Sequence, residues 1–169
     1  DARRSRRLLR DVSLTAMCDI DNPMYGPTGA AYVFGPQKGA DPAMVEFLDY
    51  RLQVLDQTIQ RELGVSVAEV PGSGAAGAFG AGILAFLKGK LCPGIEAVLD
   101  LVKFDEKLTD CDLVLTGEGR FDSQSIRGKV ISGVSKRARE KNVPVVVVAG
   151  SVDKEMESVS ADPASGIAA

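Results

Sequence analysis

The sequence predicts a parallel α/β fold, and three observations carry that reading. A short apolar run with β-forming residues, Asp112-Leu-Val-Leu-Thr116, leads into a polar loop rich in glycine. A helical repeat then places Val130, Ile131, Val134 and Ala138 on one face. A second apolar run, Val143-Pro-Val-Val-Val-Val-Ala149, ends at Gly150. Strand, loop, helix and strand make one βαβ unit, whose crossover is right-handed by the general rule. The two runs are therefore expected to lie side by side and parallel. Gly117 and Gly119 are read as ending the first strand. Ligands of such units gather beyond the carboxyl ends of the strands. The loop placed there carries Glu118, Arg120, Asp122 and Arg127, with Lys129 just after Gly128. A plain connection tends to be short and neutral, so this one reads as a ligand-binding loop rather than a structural turn.

Composition bounds the rest. The 169 residues are 45% hydrophobic and 25% charged, ordinary for a globular protein with a sizeable core. A formal net charge of -3 gives no electrostatic support to a nucleic-acid role. There is no histidine, so acid–base chemistry falls to carboxylates, Lys, Tyr or Cys. Cys18, Cys92 and Cys111 are odd in number and share no CxxC spacing. Neither a disulfide framework nor a zinc site is suggested, and a reducing, cytoplasmic compartment fits best. The longest apolar stretch, Ala75–Leu87, is too short to span a bilayer and contains three glycines. No signal peptide is visible, and no membrane partner is expected. The chain opens on Asp1 and stops at Ile-Ala-Ala without closing an element, which reads as a piece of something longer.

Taken in order, Arg3 to Arg10 hold five arginines, read as a solvated helix end rather than a nucleic-acid arm. Val12 to Ile20 reads as a strand entering the turn Cys18-Asp-Ile-Asp-Asn-Pro23. Asp19 and Asp21 would point to one side if the strand persists, and paired carboxylates call for a cation or basic partner. An Asx turn at Asp21-Asn22-Pro23 is the equal alternative. Ala30–Phe34, bracketed by Gly26-Pro-Thr-Gly29 and Gly35-Pro-Gln-Lys-Gly39, reads as a strand between glycine turns. Lys38 there is either an anion contact or a turn lysine. Asp41-Pro42 opens a packing helix, with Asp as N-cap, Pro in the first turn, and Met44, Leu48, Leu52, Leu55, Ile59 and Leu63 recurring to Gly64.

Val70-Pro-Gly-Ser-Gly-Ala-Ala-Gly77 precedes a helix through Ile83, Leu84, Phe86 and Leu87. Free amides at such a start attract phosphate, and glycine lets an anion approach the backbone. No Gly-Lys-Ser/Thr follows, so it is not a Walker A loop. Small residues for close helix packing are the competing explanation. Pro93-Gly-Ile-Glu96 opens a further amphipathic helix with Ile95, Val98, Leu99 and Val102, and Phe104 to Asp110 reads as a connector. A shift in composition near residue 110 suggests a boundary.

Three motifs in this order resemble the type 1 glycerate kinase family of bacteria. They are Cys18-Asp-Ile-Asp-Asn-Pro23 with Gly35-Pro-Gln-Lys-Gly-Ala40, Val70-Pro-Gly-Ser-Gly-Ala-Ala-Gly77, and Thr116-Gly-Glu-Gly-Arg-Phe-Asp122 with Gly128-Lys129. The resemblance runs from about Ser13 to Gly150. It implies a flavodoxin-like (Rossmann-like) parallel-sheet portion and part of an inserted second α/β domain. Residues 1–110 would belong to the inserted domain, and 111–169 to the returning, incomplete half of the flavodoxin-like one. Family members are roughly twice as long. Their amino-terminal third, with an Asp-Ser-Phe-Lys-Gly type loop, has no counterpart here, so the isolated chain is expected to be inactive.

The resemblance further implies Mg²⁺-dependent transfer of the γ-phosphoryl of ATP to D-glycerate, giving 2- or 3-phosphoglycerate. ATP and Mg²⁺ are the expected cofactors and glycerate the small-molecule partner, with self-association left open. Asp19, Asp21, Glu118 and Asp122 offer hard oxygen ligands for Mg²⁺. Lys38 and Arg120, with Asn22 and the Gly72, Ser73, Gly74 and Gly77 stretch, would contact phosphate or the glycerate carboxylate. Asp122, Glu118, Lys129 and Asp21 are the catalytic candidates, with Asp122 or Asp21 best suited to orient or deprotonate the hydroxyl. The acids of the two halves are expected to meet in one cleft. The alternative is a nucleotide- or anion-binding α/β module without turnover, which has less use for four carboxylates. A nicotinamide dehydrogenase fits poorly, since no strand–GxGxxG–helix unit is followed by a ribose-binding acid.

Overall fold

The computed structural model describes residues 2–120, 130–153 and 167–168. It divides into two compact units, Asp1–Cys92 and Pro93–Ala169. The second unit contains the βαβ element. Strand β3 (Val114–Glu118) pairs in parallel with β4 (Val145–Ala149), register Val114 to Val145 and Glu118 to Ala149. Helix α7 (Val130–Glu140) lies between them in sequence. The fold is α/β with parallel strands, as the alternation of apolar runs and helical repeat predicts. β3 runs two residues further than expected: Gly117 and Glu118 stay in the ladder opposite Val148 and Ala149. A glycine weakens a strand but does not stop one whose neighbour keeps pairing with it.

A short strand, β5 (Ile167–Ala168), pairs with the other side of β4, so β4 is central in the order β3-β4-β5. Val145 and Val146 therefore have a strand neighbour on each side, and all five residues of the run pair with β3. Val145 and Val147 are buried with Ile131, Val134, Ala138, Leu99 and Leu108. Helix α5 (Gly94–Leu101) and the four-residue α6 (Phe104–Lys107) belong to this unit. Phe104–Asp110 thus contains a helical turn rather than only a connector, and Phe104 packs on the same core as Ile95. The compact units separate before α5, ahead of the compositional shift near 110, because α5 and α6 bury their apolar faces with α7.

One guanidinium ties these three helices together. The side chain of Arg137, 14% exposed, reaches Glu96 and Asp100 on α5 and, at 3.0 Å, Asp105 on α6. Hydrogen bonding to Glu96 and then Asp100 raises its pKa above the ordinary arginine range, so it stays charged throughout. Arg137→Met should destabilise the second unit by about 2 kcal/mol, below a fully buried pair because Asp100 and Asp105 are over half exposed. Urea unfolding followed by far-UV circular dichroism checks this.

The first unit holds α1 (Ala2–Leu8), β1 (Thr15–Met17), α2 (Ala30–Phe34), a 3₁₀ turn at Pro36–Lys38, α3 (Pro42–Leu63), α4 (Ala75–Leu87) and β2 (Lys90–Cys92). β1 and β2 pair in parallel, Thr15 to Lys90 and Met17 to Cys92. The strand expected over Val12–Ile20 is only its middle three residues, and Asp19 and Asp21 lie past its end. Ala30–Phe34 is a helix, not a strand. Ala30 and Ala31 are each 5% exposed, so this face of small residues packs closely without any ladder partner. Tertiary packing here overrides the β preference of Tyr32, Val33 and Phe34.

α3 begins and ends as its sequence signals. Asp41 Oδ1 accepts from the Met44 amide at 2.8 Å, Pro42 sits in the first turn, and Gly64 takes the left-handed conformation at φ 66°. Its buried face is rotated from the apolar stripe. Val45, Asp49, Asp56 and Ile59 face inward, while Met44, Leu48 and Leu55 remain exposed. The two buried carboxylates hold the turn before α2. Asp49 accepts from the Gly26 amide at 2.7 Å and from Gln53 at 2.9 Å. Asp56 accepts from the Tyr25 hydroxyl at 3.2 Å and from Gln60 at 2.7 Å.

Burial first, and then the Asp56 charge, raises the Tyr25 pKa above its usual 10.0. A raised phenol pKa contributes stability that is complete below the unfolded value and is lost as pH climbs through the folded one. Ultraviolet titration should show a tyrosine ionising above the usual phenol range that Tyr25→Phe removes, with the Tyr25 contribution to stability lost as pH rises past about 10.

Candidate functional site

β3 and β4 end level with each other, and their carboxyl ends are the first candidate region. The Gly150 amide donates to the Glu118 carbonyl at 3.1 Å. A Cβ at Gly150 would stand 2.8 Å from the Gly119 carbonyl oxygen, so the chains leave the sheet in close contact. The Glu118 carboxylate accepts from the Gly119 amide at 3.0 Å, which turns it back over the strand end. Arg120 follows and pairs with Asp153, beyond the end of β4. Nε reaches Oδ1 at 3.1 Å, and Nη2 reaches Oδ1 at 2.9 Å and Oδ2 at 3.0 Å. Glu118 and Arg120 thus stand where the topology places ligands. Asp122 and Lys129 lie outside the described residues.

Asp153 was not among the residues singled out from sequence. The available signal was positional: Gly150-Ser-Val-Asp153 follows the second parallel strand as Gly119-Arg120 follows the first.

In the first unit, the Cys18–Pro23 segment and the Gly72–Gly74 segment are packed together. The Gly74 amide donates to the Asn22 carbonyl at 3.0 Å, and the Asn22 side chain donates to the Thr28 carbonyl at 2.8 Å. The Ser73 hydroxyl is fully buried and donates to the Ala68 carbonyl at 2.7 Å. The amides of Ser73, Ala75 and Ala78 donate to Val70, Gly72 and Gly74. These bonds favour close packing as the reason for Gly72, Ser73 and Gly74. Ala76, Gly77 and Ala78 take left-handed angles, φ 51, 70 and 67°. Such geometry costs a non-glycine residue roughly 1–2 kcal/mol, so two alanines there mark local strain.

Asp19 and Asp21 are exposed on the same segment, and Lys38 is exposed at the end of the 3₁₀ turn. Among the described residues no group of three or more acids or cysteines could hold a metal by itself. Mg²⁺ in phosphoryl-transfer sites uses one or two carboxylates plus phosphate and water, so single exposed carboxylates suit it. A cavity of about 410 Å³ between α3 and α4 is lined by Leu55, Ile59, Phe79, Ile83 and Phe86. Its apolar wall does not suit a phosphorylated ligand. Among the described residues no helix is long and apolar enough to cross a membrane.

Comparison with known proteins gives the family. The model of the glycerate kinase family matches residues 1–169. A glycerate kinase of Halalkalibacterium halodurans is 48% identical over 151 residues, which is 89% of this chain and 40% of that relative. The glycerate 2-kinase of Escherichia coli K12 is 46% identical over 148 residues, 88% of this chain and 39% of its own length. A crystal structure of a candidate glycerate kinase 2 from Salmonella typhimurium LT2 superposes with a TM-score of 0.76 at 43% identity. That match covers 87% of this chain and 41% of the other. The chain therefore spans about 40% of the length of the curated relatives it matches.

Proposed function

The chain belongs to the glycerate kinase family, and from that premise we propose that the whole protein carrying it transfers the γ-phosphoryl group of ATP to D-glycerate. The observation that carries the reading is the placement of Glu118 and Arg120 at the carboxyl end of β3, beside its parallel neighbour β4. Four carboxylates among the motif residues favour this over a binding module without turnover, which has less use for them. Phosphoryl transfer needs positioning and charge neutralisation more than covalent chemistry. Arg120 neutralises an anionic group of a substrate, phosphate or carboxylate, and Lys38 and Lys129 are assigned the same work. Glu118, Asp122, Asp19 and Asp21 are the candidate Mg²⁺ ligands, and the ion would supply charge compensation for the nucleotide phosphates. Asp122 or Asp21 orients the glycerate hydroxyl and accepts its proton as the oxygen attacks.

The backbone of Gly72–Gly77 is assigned to phosphate only through Gly77, whose left-handed position leaves open space around a Cβ. Asn22 contributes by shaping the turn that carries Asp21. The 169-residue chain alone is proposed not to turn over.

The test is phosphoryl transfer from ATP to D-glycerate by the whole protein, with the 2- and 3-phospho products resolved. ATP-dependent formation of either product supports the reading. Nucleotide binding without any phosphoglycerate would favour the non-catalytic module.

A further inference from the structure

We infer that Asp153 is the positioning residue for Arg120, fixing the plane of its guanidinium over the ends of β3 and β4. This deepens the proposed function and rests on it. Three bonds between 2.9 and 3.1 Å join the two side chains, all through Nε and Nη2 of the arginine. One edge of a planar, five-donor group is thereby clamped, and the direction of the Nη1 end is set by the clamp. The residues come from the segments that follow two neighbouring parallel strands, Arg120 two residues past β3 and Asp153 four residues past β4. The side chains are 65% and 39% exposed. An ion pair so open to solvent contributes little to folding, which leaves orientation as what it provides. Arginine surrenders much rotameric freedom when it binds an anion. A guanidinium already held loses less, and binds more tightly for that reason.

Charge alone predicts the opposite sign. Removing the Asp153 carboxylate makes the surroundings of Arg120 more positive, which should draw anions more strongly. The two effects are separated by Asp153→Asn in the whole protein. Positioning by Asp153 requires KM to rise about tenfold for the one substrate whose anionic group Arg120 meets, with kcat held within about twofold. A rise confined to ATP identifies a phosphate, and a rise confined to D-glycerate identifies the carboxylate. The double variant Arg120→Ala/Asp153→Asn should then be no worse than Arg120→Ala, because Asp153 acts only through the arginine. Unfolding midpoints of wild type and Asp153→Asn should coincide.

An unchanged or lowered KM for both substrates overturns the inference, as does an additive double variant. If the wild-type protein forms no phosphoglycerate, the kinase reading fails on its own, and calorimetric titration with ADP and with D-glycerate decides this one. Weaker binding of either ligand by Asp153→Asn sustains it. Equal binding, or wild-type protein that takes up neither ligand, overturns it.

Discussion

Gly74→Ala should unfold the first unit or cost it more than about 3 kcal/mol, beyond the usual range for an overpacked core. A Cβ at this position would stand 2.2 Å from the Pro23 carbonyl oxygen, 3.0 Å from its carbonyl carbon and 3.1 Å from the Asn22 oxygen. All three are backbone atoms, so no side chain can swing aside. The Gly74 amide also donates to that Asn22 oxygen at 3.0 Å, and any shift that relieves the clash breaks this bond. The backbone angles of Gly74, φ -75° and ψ -10°, are open to any residue. The effect is therefore one of space rather than conformational freedom.

Gly82→Ala is the matched control on the same helix. Its Cβ would meet Phe86 at 3.8 Å, an ordinary contact. Helix propensity should then stabilise the unit by about 1 kcal/mol. Urea midpoints measured side by side should move in opposite directions. Equal midpoints for wild type and Gly74→Ala would show that the Cys18–Pro23 and Gly72–Gly74 segments are not in contact.

Asp122→Asn and Lys129→Ala, made separately in the whole protein, should each lower kcat at least about tenfold without shifting the unfolding midpoint. The expectation follows from sequence: both residues belong to the polar stretch between the β3 and α7 segments, and ligands of parallel α/β sheets gather beyond the carboxyl ends of strands. A charge used chiefly in the transition state lowers kcat when removed, and a factor of ten is only about 1.4 kcal/mol. Steady-state kinetics with ATP and D-glycerate checks both variants. Wild-type kcat in both would make them surface charges, and the chemistry would pass to Glu118 and the acids of the first unit.

What the sequence by itself determined is what short-range pattern can encode. The βαβ unit was legible because a parallel pair buried on its helix side reads as apolar runs, with a 3.6-residue period between them. The limits of α3 were legible because Asp41, Pro42 and Gly64 act on their own helix ends. Family membership was legible from three motifs, each lying within a few consecutive residues.

Only the tertiary structure decided the inward face of α3, the helix at Ala30–Phe34, the buried role of Ser73 and the clamp on Arg120. Asp49 and Asp56 lie beside the apolar stripe of α3, and nothing nearby in sequence announces the Gly26 amide and Tyr25 hydroxyl, 23 and 31 positions away, that bond to them. Arg120 and Asp153 stand 33 positions apart and meet only where the segments following the paired strands β3 and β4 come together. Hydrophobic periodicity records which side of an element avoids water. It carries no record of which distant polar group will be there to receive a buried carboxylate or fix an arginine, and that is settled only when the elements pack.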